Sequence, residues 1–222
     1  MRAVSMKLDE YFSVNHKGLV WLKSERNGWQ FGEQGLIEAI VAKLRKRFVL
    51  FGVAIEIGAG DGESLPLTCE RLIGEGWHVI AYEADEKSRE TLRKKHPDID
   101  VRGAYRFGSV DPCSVLLIDI DGADSIAMSS ALATCQPSLV VVEHYDKAGP
   151  YVTAGDESFD EPVPEWLLGM PLGVPQGKNF VIQSQSEHLD QIANSHGYSP
   201  VCHTRVNSFY VPKIALQELF YV

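Results

Sequence analysis

Val53-Ala54-Ile55-Glu56-Ile57-Gly58-Ala59-Gly60-Asp61-Gly62 is the stretch on which the fold of this chain turns. Residues suited to a buried strand run directly into three spaced glycines, and a helix candidate from Ser64 to Glu75 follows. Between a strand and a helix, residues without Cβ atoms let a ligand approach the backbone closely. The Glu56-x-Gly58-x-Gly60-x-Gly62 spacing differs from the G-x-G-x-x-G dinucleotide fingerprint.

The same alternation extends to both sides of this turn. Upstream, Leu36, Ile37, Ile40, Val41 and Leu44 recur with a helical period, so a helix is expected from Gly32 to Phe48, ending in the basic run Lys43 to Arg47. Downstream, Trp77 to Tyr82 reads as a strand, Glu86 to Lys95 as a charged helix and Ile99 to Arg102 as a short strand. Val115 to Ile120 is a fourth strand followed by a helix from Ser125 to Thr134, and Leu139 to Glu143 is a fifth. Strands this uniformly apolar belong to a parallel sheet covered by helices on both faces. A helix from Ser186 to His196, closed by Gly197, then precedes two nearby strands, Ser199 to His203 and Ser208 to Val211. The fold class is therefore α/β: a doubly wound, mostly parallel seven-stranded sheet finished by a C-terminal antiparallel hairpin.

With 222 residues, the chain fits one domain. Residues 1–48 form its N-terminal helical segment, 49–144 its ligand-binding core, and 180–222 its last helix and strands. Residues 145–179 are rich in proline and glycine and read as an ordered lid or substrate loop. A formal charge of −9 argues against a nucleic-acid partner, because phosphate backbones are bound through many lysines and arginines. The basic run at 43–47 reads as a solvated helix end. Cys69, Cys113, Cys135 and Cys202 are scattered without a C-x-x-C pair, which gives neither a zinc knuckle nor a disulfide framework. No apolar run approaches the ~20 residues that span a bilayer, and the chain reads as cytoplasmic. Nothing in the sequence marks the oligomeric state.

The candidate site residues stand at strand ends. Glu83 ends the second strand, where a carboxylate can accept from two vicinal ribose hydroxyls or simply face solvent. Asp119, Asp121 and Asp124 cluster at the end of the fourth strand, where carboxylates can bind a divalent metal such as Mg²⁺, Ca²⁺ or Mn²⁺, position a substrate amine or hydroxyl, or act as a base. Glu143 ends the fifth, with His144 and Asp146 just after it. His144 titrates in the physiological range and is either a proton acceptor or a structural imidazole, with Glu143 or Asp146 orienting it or sharing a metal.

The glycine turn resembles motif I of Rossmann-like S-adenosylmethionine-dependent methyltransferases. Several further segments resemble the FkbM-type, largely uncharacterised methyltransferase-like group: Asn27 to Leu36, Glu56 to Gly62, Ile118 to Asp124, Val142 to Asp146 and Asn207 to Val211. The sequence departs from that group at Trp29-Gln30-Phe31, at Gln34 and at His144-Tyr145. The resemblance implies S-adenosylmethionine bound by Glu56, Gly58, Ala59, Gly60, Asp61, Gly62, Glu83 and Asp119. It further implies methyl transfer to an oxygen or nitrogen of a small-molecule or sugar-like acceptor, with His144, Asp119 or Glu143 handling the proton. An NAD-dependent redox enzyme and a binding module without catalysis are the rival readings.

Overall fold

The computed structural model describes residues 12–15, 18–21, 33–64, 66–120, 123–144, 186–204 and 206–220. Asp121, Asp146, the segment 27–32 and the proposed lid at 145–179 lie outside the described residues.

Nine strands and six helices are described. A hairpin of β1 (Phe12–Asn15) and β2 (Gly18–Trp21) comes first, ahead of α1 (Glu33–Leu44). The core then alternates: β3 (Val53–Ile57), α2 (Glu70–Gly74), β4 (His78–Tyr82), α3 (Glu86–Lys95), β5 (Asp100–Arg102), β6 (Val115–Ile118), α4 (Asp124–Leu132) and β7 (Leu139–Glu143). It closes with α5 (Ser186–Ser195), β8 (Tyr198–His203), β9 (Asn207–Pro212) and α6 (Lys213–Phe220). The main sheet has the order β5-β4-β3-β6-β7-β9-β8, in which β9 runs antiparallel to both β7 and β8 and the other neighbours are parallel.

The central strands β3, β6 and β7 lack a polar face because both faces are buried. Ala54, Val115, Leu117, Leu139 and Val141 pack on one side with Leu36, Ile40, Leu72 and Leu92. Ile55, Ile57, Leu116, Ile118, Val140 and Val142 pack on the other with Ala127, Met128, Leu189 and Ala193. One set of helices, α1, α2 and α3, thus covers the first face, and α4 with α5 covers the second. All four cysteines are free and buried. No helix among the described residues is long and apolar enough to cross a membrane.

Three expectations need correction. The helix predicted from Ser64 to Glu75 is confined to Glu70–Gly74, because the preceding residues are held as a loop by side chains described below. The fourth strand stops at Ile118, where the chain leaves the sheet to form the site, instead of continuing to Ile120. The N-terminal segment expected to be helical also carries the β1–β2 hairpin, and the chain closes in a helix, α6, that was not expected.

Candidate active site

The order of the sheet reverses beside β3: the chain first steps outward to β4 and β5, then returns to place β6 on the other side of β3. Loops leaving β3 and β6 diverge there, opening a crevice at the C-terminal edge of the sheet. A cavity of about 470 Å³ occupies it, with walls drawn from Glu83 after β4, Gly58 to Gly60 after β3, Asp119 after β6 and Glu143 ending β7. With strands ~4.8 Å apart, these walls span on the order of 15 Å, the reach of a ligand larger than a single sugar or amino acid.

The three glycines of the turn serve three different ends. A Cβ on Gly58 would stand 1.6 Å from the Asp119 carbonyl oxygen, so this glycine lets the β3 and β6 loops pass each other. A Cβ on Gly62 would meet Leu92 Cδ1 at 2.8 Å, so this one lets α3 pack beneath the turn. Gly60 faces open space, with nothing within 4 Å of a Cβ, and its φ of +62° favours glycine. Only Gly60 leaves room for a ligand. Asp61 and Gly62 stand off the cavity wall: the Asp61 carboxylate accepts from Glu63 N at 2.8 Å, Ser64 N at 2.7 Å and Ser64 Oγ at 2.7 Å.

Glu83 fixes this turn from the neighbouring strand. Its Oε2 accepts from Gly60 N at 2.8 Å and its Oε1 from Asp85 N at 2.8 Å. Each oxygen keeps further acceptor capacity, since an ionised carboxylate offers about four lone-pair positions. Gly58 N and Ala59 N both donate to the Tyr82 carbonyl, at 2.9 and 3.1 Å, which seats the start of the turn on the end of β4. Tyr82 and Tyr105 meet edge to face with centroids 5.6 Å apart and, with Ala84 and Ala104, give the Glu83 end of the cavity an apolar flank.

Glu56 reaches the cavity from β3, yet its carboxylate already accepts from Thr68 N at 2.8 Å and Cys69 N at 3.1 Å. It anchors the loop before α2, which is why that helix starts late. Burial pushes its carboxyl above the ordinary range, and the Thr68 and Cys69 donors oppose that shift. From α1, Gln34 donates to the Leu67 carbonyl at 2.9 Å and tightens the same loop.

The acids after β6 part company. Asp119 lines the cavity, whereas Asp124 is 2% exposed and accepts from Ile120 N at 2.9 Å, closing the loop that starts α4. No group of three His, Cys, Asp or Glu side chains suited to a metal ion occurs among the described residues, and the expected Asp119–Asp121–Asp124 metal site is not supported. Glu143 lines the cavity, but His144 is not on its wall. That imidazole is 2% exposed and packs edge to face on His203 at 6.0 Å, while its backbone N–H donates to the Val206 carbonyl at 2.7 Å.

Reasoning from the sequence missed several wall residues, two of them buried and polar at the far end from Glu83. Glu33, at the start of α1, and Asn207, at the start of β9, are 3% and 7% exposed and both line the cavity. Both fall in segments that carry the family resemblance, but neither follows a parallel strand, where binding residues were sought.

No protein-family model matches the sequence, nor does any curated protein. Solved structures do match the fold. The CcbJ methyltransferase of Streptomyces caelestis aligns with a TM-score of 0.50 and 17% identity over 86% of this chain and 99% of its own. SAM-bound CalS10, an amino pentose methyltransferase from Micromonospora echinaspora, aligns at 0.50 and 10% identity over 86% and 94%. The magnesium protoporphyrin IX methyltransferase ChlM of Synechocystis PCC 6803, also with bound SAM, aligns at 0.50 and 10% identity over 82% and 79%.

This chain has the S-adenosylmethionine-dependent methyltransferase fold. Within that fold, the cavity beside Gly60 and Glu83 occupies the topological switch point, the position at which open α/β sheets bind their ligands.

Proposed function

We propose that this protein is a methyltransferase that binds S-adenosylmethionine in the cavity and methylates an oxygen or nitrogen of a small-molecule or sugar-like acceptor. The observation that carries this reading is the Glu83 clamp on Gly60, which sets a carboxylate with spare acceptor capacity beside the one glycine of the turn that faces open space. The methyltransferase-fold neighbours and the sequence resemblance to the FkbM-type group support it.

The described walls fit the cofactor. Glu83 would hold the two ribose hydroxyls, Tyr105 with Ala84 and Ala104 would flank the base, and the Gly58–Gly60 backbone would pass along the amino-acid portion. The described lining contains the side chains of Glu33, Glu56, Glu83, Asp119 and Glu143. Held there, the cofactor would supply an electrophilic methyl group to the acceptor and would leave as S-adenosylhomocysteine.

The protein's own task is to orient the acceptor and remove its proton. Asp119 and Glu143, which both line the cavity, would take that proton. His144, packed against His203 at 6.0 Å, is not among the residues that line the cavity.

Calorimetric titration with S-adenosylmethionine, S-adenosylhomocysteine and NAD tests the reading. Binding of the first two without NAD is expected. NAD binding alone, or no binding of any of the three, would overturn it.

A further inference from the structure

Away from the cavity, at the edge where the parallel strands begin, the fold brings two cysteines together. Cys113 lies just before β6 and Cys135 just after α4, 22 positions later, yet their sulfurs are 3.8 Å apart. Backbone bonds hold both segments in place. Ser114 N donates to the Val53 carbonyl at 2.9 Å, and the Ser114 carbonyl accepts from Ser138 N at 2.8 Å, which joins the two segments directly. Cys135 N donates to the Ala131 carbonyl at 2.9 Å, and the Tyr198 hydroxyl secures the loop beyond it by donating to the Pro137 carbonyl at 2.8 Å.

The two sulfurs are not equivalent. Cys113 is 2% exposed and Cys135 8%, with exposed Thr134 and Gln136 on either side of the latter, so Cys135 is the outer member of the pair. A hydrogen bond from the Cys113 thiol holds the Cys135 pKa below the ordinary cysteine range, against the opposing effect of burial. The same bond, together with burial, pushes the Cys113 thiol up. An ionised sulfur in contact with a protonated one is the arrangement that an attacking and a resolving thiol require. Cys69 and Cys202 contrast with this pair: each is 1% exposed, and burial pushes both thiols up.

We infer that Cys113 and Cys135 form a reversible disulfide in response to hydrogen peroxide, stapling the base of the β6–α4 unit whose other end carries Asp119. The Cys135 thiolate attacks one peroxide oxygen, the O–O bond breaks, and the second oxygen leaves as hydroxide, which takes a proton from solvent. Cys135 is then a sulfenic acid. The Cys113 sulfur bonds to the Cys135 sulfur, the S–O bond breaks, and the departing hydroxide leaves as water with the Cys113 proton. Two electrons thus pass from the sulfur pair to the peroxide, and a dithiol such as dithiothreitol returns them. The closed loop holds β6, the bend after it and α4, so the bond restricts the unfolded chain and stabilises the fold.

The test treats the full reduced chain with hydrogen peroxide, counts thiols in denaturant and maps the peptides. Loss of two of the four thiols, a linked Cys113–Cys135 peptide and recovery of both thiols with dithiothreitol are expected. The thermal midpoint of the oxidised chain should rise by about 5 °C or more. Cys113→Ala removes the resolving thiol, so dimedone should trap the sulfenic acid at Cys135 in that variant. If the variant does not fold, the peptide map of the unmodified chain decides alone. Retention of all four thiols, a link through Cys69 or Cys202, or an unchanged midpoint after oxidation would overturn the inference. None of these outcomes bears on the methyltransferase reading, which concerns the opposite edge of the sheet.

Discussion

At the scale of single residues, the glycine turn separates into positions with different consequences when changed. Gly60→Leu introduces a side chain where φ is +62° and the cavity opens, so S-adenosylhomocysteine binding measured by calorimetry should disappear while the protein still folds. Gly58→Ala acts on the fold itself. Its Cβ collides with the Asp119 backbone at φ +87°, and the left-handed conformation alone costs at least ~1 kcal/mol, so its thermal midpoint should fall well below that of Gly60→Leu. If Gly60→Leu bound S-adenosylhomocysteine normally, the turn would not be the site. Glu83→Ala removes the acceptor of Gly60 N and should weaken S-adenosylhomocysteine by ~1–3 kcal/mol. Full affinity in that variant would reduce Glu83 to a strand-end carboxylate. The candidates at parallel strand ends were legible because that position concentrates ligand-binding chemistry. Glu33 and Asn207 were not, since one begins a helix and the other an antiparallel strand far along the chain. Only the pairing of Asn207 with Glu143 brings it to the wall.

Among the elements, the parallel strands were readable because two helix-covered faces demand unbroken apolar runs, and β3, β4 and β7 fall within a residue of expectation. Helix α2 was not, because its start is decided by side-chain acceptors, one local and one on β3. Asp61 takes the Glu63 and Ser64 amides, and Glu56 takes those of Thr68 and Cys69, before any helical bond can form. Helix α3 presses on the turn from below, with Lys95 donating to the Gly62 carbonyl and His96 beside Gly62. Burial lowers the His96 pKa from its ordinary 6.5, Glu70 at 3.7 Å opposes this, and Lys95 adds to it. Below pH 6.5 the unfolded chain therefore takes up a proton that the folded chain resists, and stability falls as pH falls through that window. Thermal unfolding across pH 5 to 8 should show His96→Gln losing less stability on acidification than the parent. An equal or steeper loss would remove His96 as a source of the pH dependence.

For the whole molecule, sheet order determines what local chemistry cannot. The step from β5 back to β6 creates the crevice, and the antiparallel entry of β9 beside β7 closes its far end. On the proposed function, a cofactor at Glu83 and an acceptor beside Asp119 and Glu143 would share one sheet edge, which suits a reaction that depends on aligning two partners. A ligand that binds only the folded chain also stabilises it, by ~2.7 kcal/mol at a hundredfold excess over Kd. The most direct test of this arrangement is a crystal structure of the protein grown with S-adenosylhomocysteine. Both ribose hydroxyls are expected within ~2.6–3.2 Å of the Glu83 carboxylate, with the amino-acid portion passing Gly60. Density for the ligand anywhere other than the Gly60–Glu83 cavity, or in that cavity with the ribose turned away from Glu83, would contradict the account.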